Sequence, residues 1–280
     1  MTEPPTEAST STPGPAVLAE LRGHVLVVTL NRPEARNAVN AELTQGLGDA
    51  LERAEHETDI RVVVLTGAGD KSFCAGADLK AISRGEALSP PGTEEWGFAG
   101  FVNHPISKPV IVAVNATALG GGTELVLASD LAVAGESAKF GLPEVRRGLI
   151  AAAGGLIRLP ELLPRKVAMQ MIVTGEPIDA ETALRWGLVN EVVPDGQVLD
   201  AALDLARVIA ANAPLAVQAS KRVASGRYAG ADSALPRDLP YERDAWRANE
   251  EEIVALMSTE DAIEGPTAFA EKREPVWTAK

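Results

Sequence analysis

Three short runs along this chain are apolar at nearly every position: Val25–Leu30, residues 61–66 and Val110–Val114. A strand with one wet face alternates apolar and polar residues, so unbroken β-branched runs predict strands covered on both faces of a parallel or mixed sheet. Between the first two, Leu43, Leu47, Leu51 and Ala54 recur at helical spacing and form one apolar stripe. Strand, helix and strand make a crossover unit, which is nearly always right-handed. Residues 131–134 add a further strand. Beyond Pro160 the period changes to helical, over 164–173, 179–187, 196–212, 214–226 and 241–270. Gly265-Pro266 is expected to break the last of these into two helices. No repeat of fixed period is visible. Residues 1–15 are Pro, Ser, Thr and Glu with almost nothing apolar, too little to offset ordering entropy, and are expected to be a disordered tail. The rest divides into an α/β core over 16–200 and a helical region over 201–280.

Composition narrows the function classes. A formal net charge of −13 argues against a general nucleic-acid binder, which needs clustered Lys and Arg. It leaves room for the few basic residues that a phosphate-bearing ligand requires. Cys74 is the single cysteine, so no intramolecular disulfide can form, and with three histidines a Cys/His zinc site is not expected. No apolar run reaches the roughly 18–20 residues that cross a bilayer, and no basic region precedes an apolar stretch at the N-terminus. The expectation is a cytoplasmic protein without metal or membrane partner.

Three segments could carry chemistry. Ser72-Phe73-Cys74-Ala75-Gly76-Ala77-Asp78-Leu79-Lys80 follows the second strand; its small residues admit a ligand close to the backbone, and Asp78 can cap a short helix. Read as local structure only, it is a tight strand-to-helix turn. Ala118-Leu119-Gly120-Gly121-Gly122-Thr123-Glu124-Leu125 follows the third strand. Three glycines before a helix are costly in chain entropy, and they let the backbone run flush against a ligand. Glu124 falls in the first helical turn, where the dipole favours its charge; a solvated surface glutamate would do the same. Phe140-Gly141-Leu142-Pro143-Glu144 fits a helix start, which by itself makes Glu144 a capping residue. Two decoys fail: Gly67-Ala68-Gly69-Asp70-Lys71-Ser72 lacks the glycine a phosphate loop needs before its lysine, and the dinucleotide pattern would put Ser72 at its third glycine. Cys74 has no identifiable base and reads as a small buried residue.

Taken in order, these segments resemble the crotonase, or enoyl-CoA hydratase/isomerase, superfamily. The matching elements are Leu30-Asn31-Arg32-Pro33 with Arg36-Asn37-Ala38, C-A-G-A-D-L-K at 74–80, A-L-G-G-G-T-E-L at 118–125, F-G-L-P-E at 140–144 and Gly154-Gly155. The resemblance implies a core of repeated ββα units with a C-terminal helical region that builds trimers, often paired into hexamers. It implies an oxyanion hole from the N–H groups of Ala77 and Gly121, and a water held between Glu124 and Glu144. It assigns Arg36, Ala38, Ala75, Asp78, Leu79, Lys80 and Gly120 to the acyl-coenzyme A substrate. Phe269 and Lys272 would reach a neighbouring subunit's cofactor. Coenzyme A is part of the substrate, and no separate cofactor is implied. The tail, Asp261 to Pro266 with F-A-E-K-R at 269–273 and Pro275-Val276-Trp277, is similar to carnitinyl-CoA dehydratases, as is Ala183-Leu184-Arg185-Trp186-Gly187. Ala151-Ala152-Ala153 and Asn115-Ala116-Thr117 depart from the pattern of many hydratases without touching a candidate catalytic group.

The expected activity is reversible addition of water across the 2,3-double bond of a 2-enoyl-CoA. The alternatives are dehydration of carnitinyl-CoA, with Trp96 or Phe98 of the 84–101 loop near the acyl end, or another isomerase or hydrolase of the fold. A non-catalytic acyl-CoA sensor is the rival of a different class; a pure binder has no need of two carboxylates beside a thioester.

Overall fold

The computed structural model describes residues 14–225 and 240–278; residues 1–13 of the expected tail lie outside them. In chain order the strands are β1 (Val17–Arg22), β2 (Val25–Leu30), β3 (Val62–Gly67), β4 (Val110–Val114), β5 (Ala118–Leu119), β6 (Leu131–Gly135), β7 (Lys139–Gly141), β8 (Ile178–Asp179) and β9 (Glu191–Val193). The helices are α1 (Ala41–His56), α2 (Leu79–Ser83), α3 (Gly121–Ala128), α4 (Gly155–Leu162), α5 (Arg165–Thr174), α6 (Ala180–Trp186), α7 (Val198–Ala210), α8 (Pro214–Ala224), α9 (Pro240–Met257) and α10 (Glu260–Glu271).

Six strands form one sheet in the order β1-β2-β3-β4-β6-β9, parallel except for the β1–β2 hairpin. Alternate residues of each apolar run feed two cores. Leu26, Val28, Val63, Leu65, Val112 and Val114 pack on one face with Leu43, Leu47 and Leu51 of α1. Val25, Val27, Val62, Val64, Ile111 and Ala113 pack on the other with Val198, Ala202, Leu203 and Ala206 of α7. The expected division at residue 200 therefore falls inside α7, whose apolar face covers the sheet; the core layer runs on to the end of that helix.

Beyond the carboxyl ends of the sheet strands lies a second, smaller sheet, β5-β7-β8. Cys74 bridges Ala118 of β5 in parallel, and Ala77 bridges Val39. Each long strand thus continues into a short extended piece and then a helix or helical turn, which is the ββα unit. These short pieces bring the loops after β3, β4 and β6 side by side.

The C-terminal pattern needs two corrections. The helix break lies at Ser258-Thr259, where Thr259 accepts from the Ala262 N–H, and Pro266 sits inside α10. Gly265 is there for contact rather than for a break: a Cβ on it would lie 1.8 Å from the carbonyl oxygen of Arg147. α4, with Pro160 inside it, has no counterpart in the sequence reading.

Candidate active site

One cavity of about 1560 Å³ is lined by all thirteen residues that the resemblance assigns to catalysis or substrate binding: Glu124, Glu144, Ala77, Gly121, Arg36, Ala38, Ala75, Asp78, Leu79, Lys80, Gly120, Phe269 and Lys272. Its centre is the meeting of two glycine loops. Gly76 has φ +85°, and a Cβ there would stand 3.0 Å from both the Gly121 nitrogen and the Leu119 oxygen. Gly120 has φ +56°, and a Cβ there would stand 2.8 Å from Glu144 Oε1. The three segments therefore touch backbone to backbone, or backbone to carboxyl, where no side chain fits.

Two N–H groups are left over by this geometry. Val39 donates to Gly76 O at 2.8 Å and accepts from Asp78 N at 3.0 Å, so the peptide groups flanking Ala77 are used while its own N–H turns the other way. Gly121 opens α3, and the first N–H groups of a helix have no acceptor within it.

The two glutamates are not at the surface. Glu124 is 3 % exposed, and its Oε1 accepts from the Gly155 N–H at 2.8 Å. Burial raises its carboxyl to about 8, helped by the charge of Glu144 and opposed by the Gly155 N–H and the charge of Arg158. Glu144 sits in a 3₁₀ turn, Pro143–Arg147, closed by Gly148 in the left-handed region. Burial raises its carboxyl to about 7, opposed by its own backbone N–H. Its Oε2 is buried and has no hydrogen-bond partner. Both carboxyls are thus raised toward neutral pH, where a protonated and an ionised carboxyl can coexist.

A stability consequence follows from the sign of these shifts. Both groups bind protons more tightly in the folded chain than near 4.5 in the unfolded one, so the folded state loses stability as pH rises from about 4.5 through 8. Glu124→Gln, which is neutral at every pH, should raise the melting temperature at pH 8 by about 2–4 °C for each kcal/mol recovered, and do little at pH 5. Thermal melts at the two pH values test this; an equal effect at both would count against the raised Glu124 carboxyl.

Other residues divide into those that hold the loops and those that line the walls. Asp78 accepts from the Ala81 N–H at 3.2 Å and pairs with Arg32 at 3.1 Å, so its carboxylate is committed to capping α2 and to that ion pair. Arg32 Nη1 also donates to Ala38 O at 2.5 Å. Asn37, fully buried at φ +54°, donates to Ala68 O and Ser72 O and accepts from Arg32 N. It ties the loop before α1 to the loop after β3, a role the sequence reading missed. Cys74 is fully buried, with its thiol pushed up to about 12 by desolvation.

The 84–101 loop contributes Arg84, Leu88, Glu94, Glu95, Gly97 and Phe98 to the cavity. Phe98 lies over Gly121, where a Cβ would come within 2.3 Å of its ring. Trp96 goes the other way, against Gly48 of α1 and 4.9 Å from the His104 ring, so of the two aromatic candidates only Phe98 faces the cavity. Phe269 and Lys272 line the cavity of their own chain, because α10 packs on the turn bearing Glu144 and on α2. The Arg147 guanidinium lies 4.9 Å over the Phe269 ring. Among the described residues no cluster of His, Cys, Asp and Glu could hold a metal ion, and no helix is long and apolar enough to cross a membrane.

Comparison with known proteins agrees with this geometry. The profile of the enoyl-CoA hydratase/isomerase family matches residues 20–280. A carnitinyl-CoA dehydratase from Salmonella paratyphi A is 42 % identical over 262 residues, covering 92 % of this chain and 96 % of that protein. The solved structure of a carnitinyl-CoA dehydratase from Mycobacterium avium 104 is 61 % identical with a TM-score of 0.89, covering 95 % of this chain and all of that one. An enoyl-CoA hydratase from Mycobacterium tuberculosis H37Rv is 45 % identical with a TM-score of 0.72, over the same shares of the two chains. On its sequence, its sheet topology and the convergence of its glycine loops on Glu124 and Glu144, the chain belongs to the enoyl-CoA hydratase/isomerase family.

Proposed function

We propose that this chain adds water reversibly across the 2,3-double bond of an acyl-CoA thioester, with a carnitinyl-type 3-hydroxyacyl group and its enoyl product as the substrate pair. The observation that carries the reading is the pair of glutamates, Glu124 and Glu144, on one cavity beside Gly120 and Gly121, both with carboxyls raised by burial.

In the dehydration direction, an ionised carboxylate takes the α-proton of the thioester and negative charge moves onto the thioester oxygen. The N–H groups of Ala77 and Gly121 are the donors for that oxygen, each worth about 2.7–4 kcal/mol in comparable sites. The protonated carboxyl then gives its proton to the β-hydroxyl, which leaves as water. Glu144 suits the base, since its oxygen without a partner is free to accept. Glu124, whose Oε1 is held by the Gly155 N–H, suits the acid. Hydration is the reverse, with both carboxyls orienting one water. No step calls for a metal or redox group. Arg36, Lys80, Arg147 and Lys272 are the basic wall residues suited to the coenzyme phosphates. Exposed apolar side chains on two helices, Val173 on α5 with Leu215 and Val223 on α8, support assembly into trimers or paired trimers. A cytoplasmic location fits this reading.

The carnitinyl reading is favoured over a general hydratase by the named relatives and by the acidic residues Glu94, Glu95 and Glu250 on the cavity wall. The test is loss of enoyl-thioester absorbance with crotonobetainyl-CoA and with crotonyl-CoA. Faster turnover of the cationic substrate supports the proposal, and a preference for crotonyl-CoA returns the chain to the general hydratase. Inertness toward both, with binding retained, favours an acyl-CoA sensor.

A further inference from the structure

The cavity has a second end, whose wall takes no part in the chemistry of the two glutamates. Phe98, Val102 and Asn103 come to it from one loop, and Trp246, Asn249 and Glu250 from α9. Hydrogen bonds tie these pieces together. Asn249 Nδ2 donates to Ala152 O at 2.8 Å, and Arg158 Nη2 donates to Val102 O at 2.7 Å. The Arg158 guanidinium stacks 5.3 Å from the Trp246 ring. Asn103 N donates to Trp96 O at 3.0 Å.

Among the described residues, three buried side-chain atoms lack a hydrogen-bond partner: Glu144 Oε2, Asn103 Oδ1 and Asn249 Oδ1. All three belong to residues lining this cavity. Asn249 is 8 % exposed and Asn103 7 %. The amide of Asn249 cannot be turned round at no cost, because its NH₂ is held by the Ala152 carbonyl; the oxygen is left facing elsewhere. A buried acceptor without a donor costs about 1–3 kcal/mol, so two of them on one cavity wall suit a bound group that supplies what the protein does not. The ligand must bring hydrogen-bond donors or positive charge. Glu94, Glu95 and Glu250 line the same cavity, while the basic wall residues Arg36, Lys80 and Lys272 come from the loops and helix expected to meet the coenzyme. Arg158 is turned to the Val102 and Ala153 carbonyls and the Trp246 face.

We infer that Asn249, with Asn103 beside it, determines specificity by receiving a cationic substituent at the far end of the acyl chain. The inference rests on the hydratase/dehydratase reading of the site. A quaternary ammonium brings polarised C–H groups and a full charge to the two carbonyl oxygens. A plain alkyl chain leaves both unpartnered, which is how a site built for a polar group rejects its apolar analogue.

The experiment compares kcat/KM for crotonobetainyl-CoA and crotonyl-CoA in the full-length enzyme and in Asn249→Leu, close in size to asparagine. The ratio of cationic to alkyl substrate should fall about tenfold or more, chiefly through KM of the cationic one. A ratio within about twofold of wild type, or a parallel loss on both substrates, overturns the inference. Glu250→Gln, at an exposed position on the same wall, gives a reading independent of core packing: the ratio should fall about threefold, and an unchanged ratio also counts against the cationic end. Wild-type enzyme inactive on both thioesters would sink the hydratase reading itself. Activity on both with indifference to Asn249 would sink this inference alone.

Discussion

Glu144→Gln should lower kcat for hydration of a 2-enoyl-CoA by about 10²–10⁴-fold, with KM nearly unchanged, and Glu124→Gln should do the same. The substitution keeps the shape of the side chain and its power to accept a hydrogen bond, but removes the ability to take or give a proton. The losses should not add. If the two carboxyls act as one acid–base pair, removing either destroys it, and the double variant should be little worse than the worse single one. The pH dependence is the second readout. Wild type needs one carboxyl ionised and one protonated, and with both raised into the range of about 7–8 the rate should follow a bell centred there. Each single variant should lose one limb of that bell. Stopped assays with crotonobetainyl-CoA across pH 5–10 would check both statements. A single variant that keeps wild-type kcat would remove that residue from the mechanism.

Gly122→Ala should be among the most damaging single-methyl changes in the chain. A Cβ at Gly122 would lie 2.1 Å from the carbonyl oxygen of Cys74 and 2.9 Å from its carbon. Alanine is the better helix former by about 1 kcal/mol, and Gly122 is inside α3, so propensity alone predicts stabilisation. Contact decides otherwise. Neither partner is a flexible side chain: the Cys74 carbonyl accepts from Leu119 N at 3.0 Å and belongs to the bridge with Ala118. One backbone or the other must move, at about 3 kcal/mol for overpacking of this kind, which corresponds to a fall of roughly 6–12 °C in melting temperature. The same movement separates the loops that bear Ala77 and Gly121, so activity should fall further than stability. Gly196→Ala is the control, because a Cβ there meets nothing within 4 Å. Calorimetry of the two variants beside their turnover decides the matter; a Gly122→Ala enzyme with wild-type melting and rate would show that the loops are not in rigid contact.

The sequence exposes the parts of this molecule that arise from local pattern and conceals those that arise from meeting at a distance. β2, β3 and β4 are legible because both of their faces are buried, which leaves unbroken apolar runs. β1 is not, since five of its six residues are exposed and it is held by the hairpin with β2. The short strands β5, β7 and β8 are two or three residues long and exist only through their partners, which is why no repeat could be seen although the units repeat in space. The glycine loops are visible as motifs; what they press against is not. Asp78 reads as a ligand-binding residue, and its commitment to Arg32 becomes evident only when residues 46 apart in sequence are brought together. Trp96 and Phe98 are equivalent in the sequence, and the glycines at 97 and 100, both at positive φ, turn one to the cavity and the other to α1. Asn103 and Asn249 carry no local signal at all, being ordinary polar residues until burial leaves their oxygens without donors.

The contact between α10 and the turn that carries Glu144 has a consequence for how the enzyme comes into being. Gly265 lies flush on Arg147 O, and Gly148 lies flush on Asp261 O, so a Cβ on either glycine would clash with the backbone of the other segment. The tail then fastens the joint: Arg273 pairs with Glu264, Val276 N donates to Glu264, and Thr278 N donates to Asp261. A ribosome delivering this chain releases the sheet, both glycine loops and both glutamates well before α9 and α10 emerge. Until those helices arrive, the turn bearing Glu144 is backed by α5 but not by α10, and the cavity lacks the wall that α9 and α10 contribute. Closure of the cavity therefore waits for two helices made long after the residues they enclose.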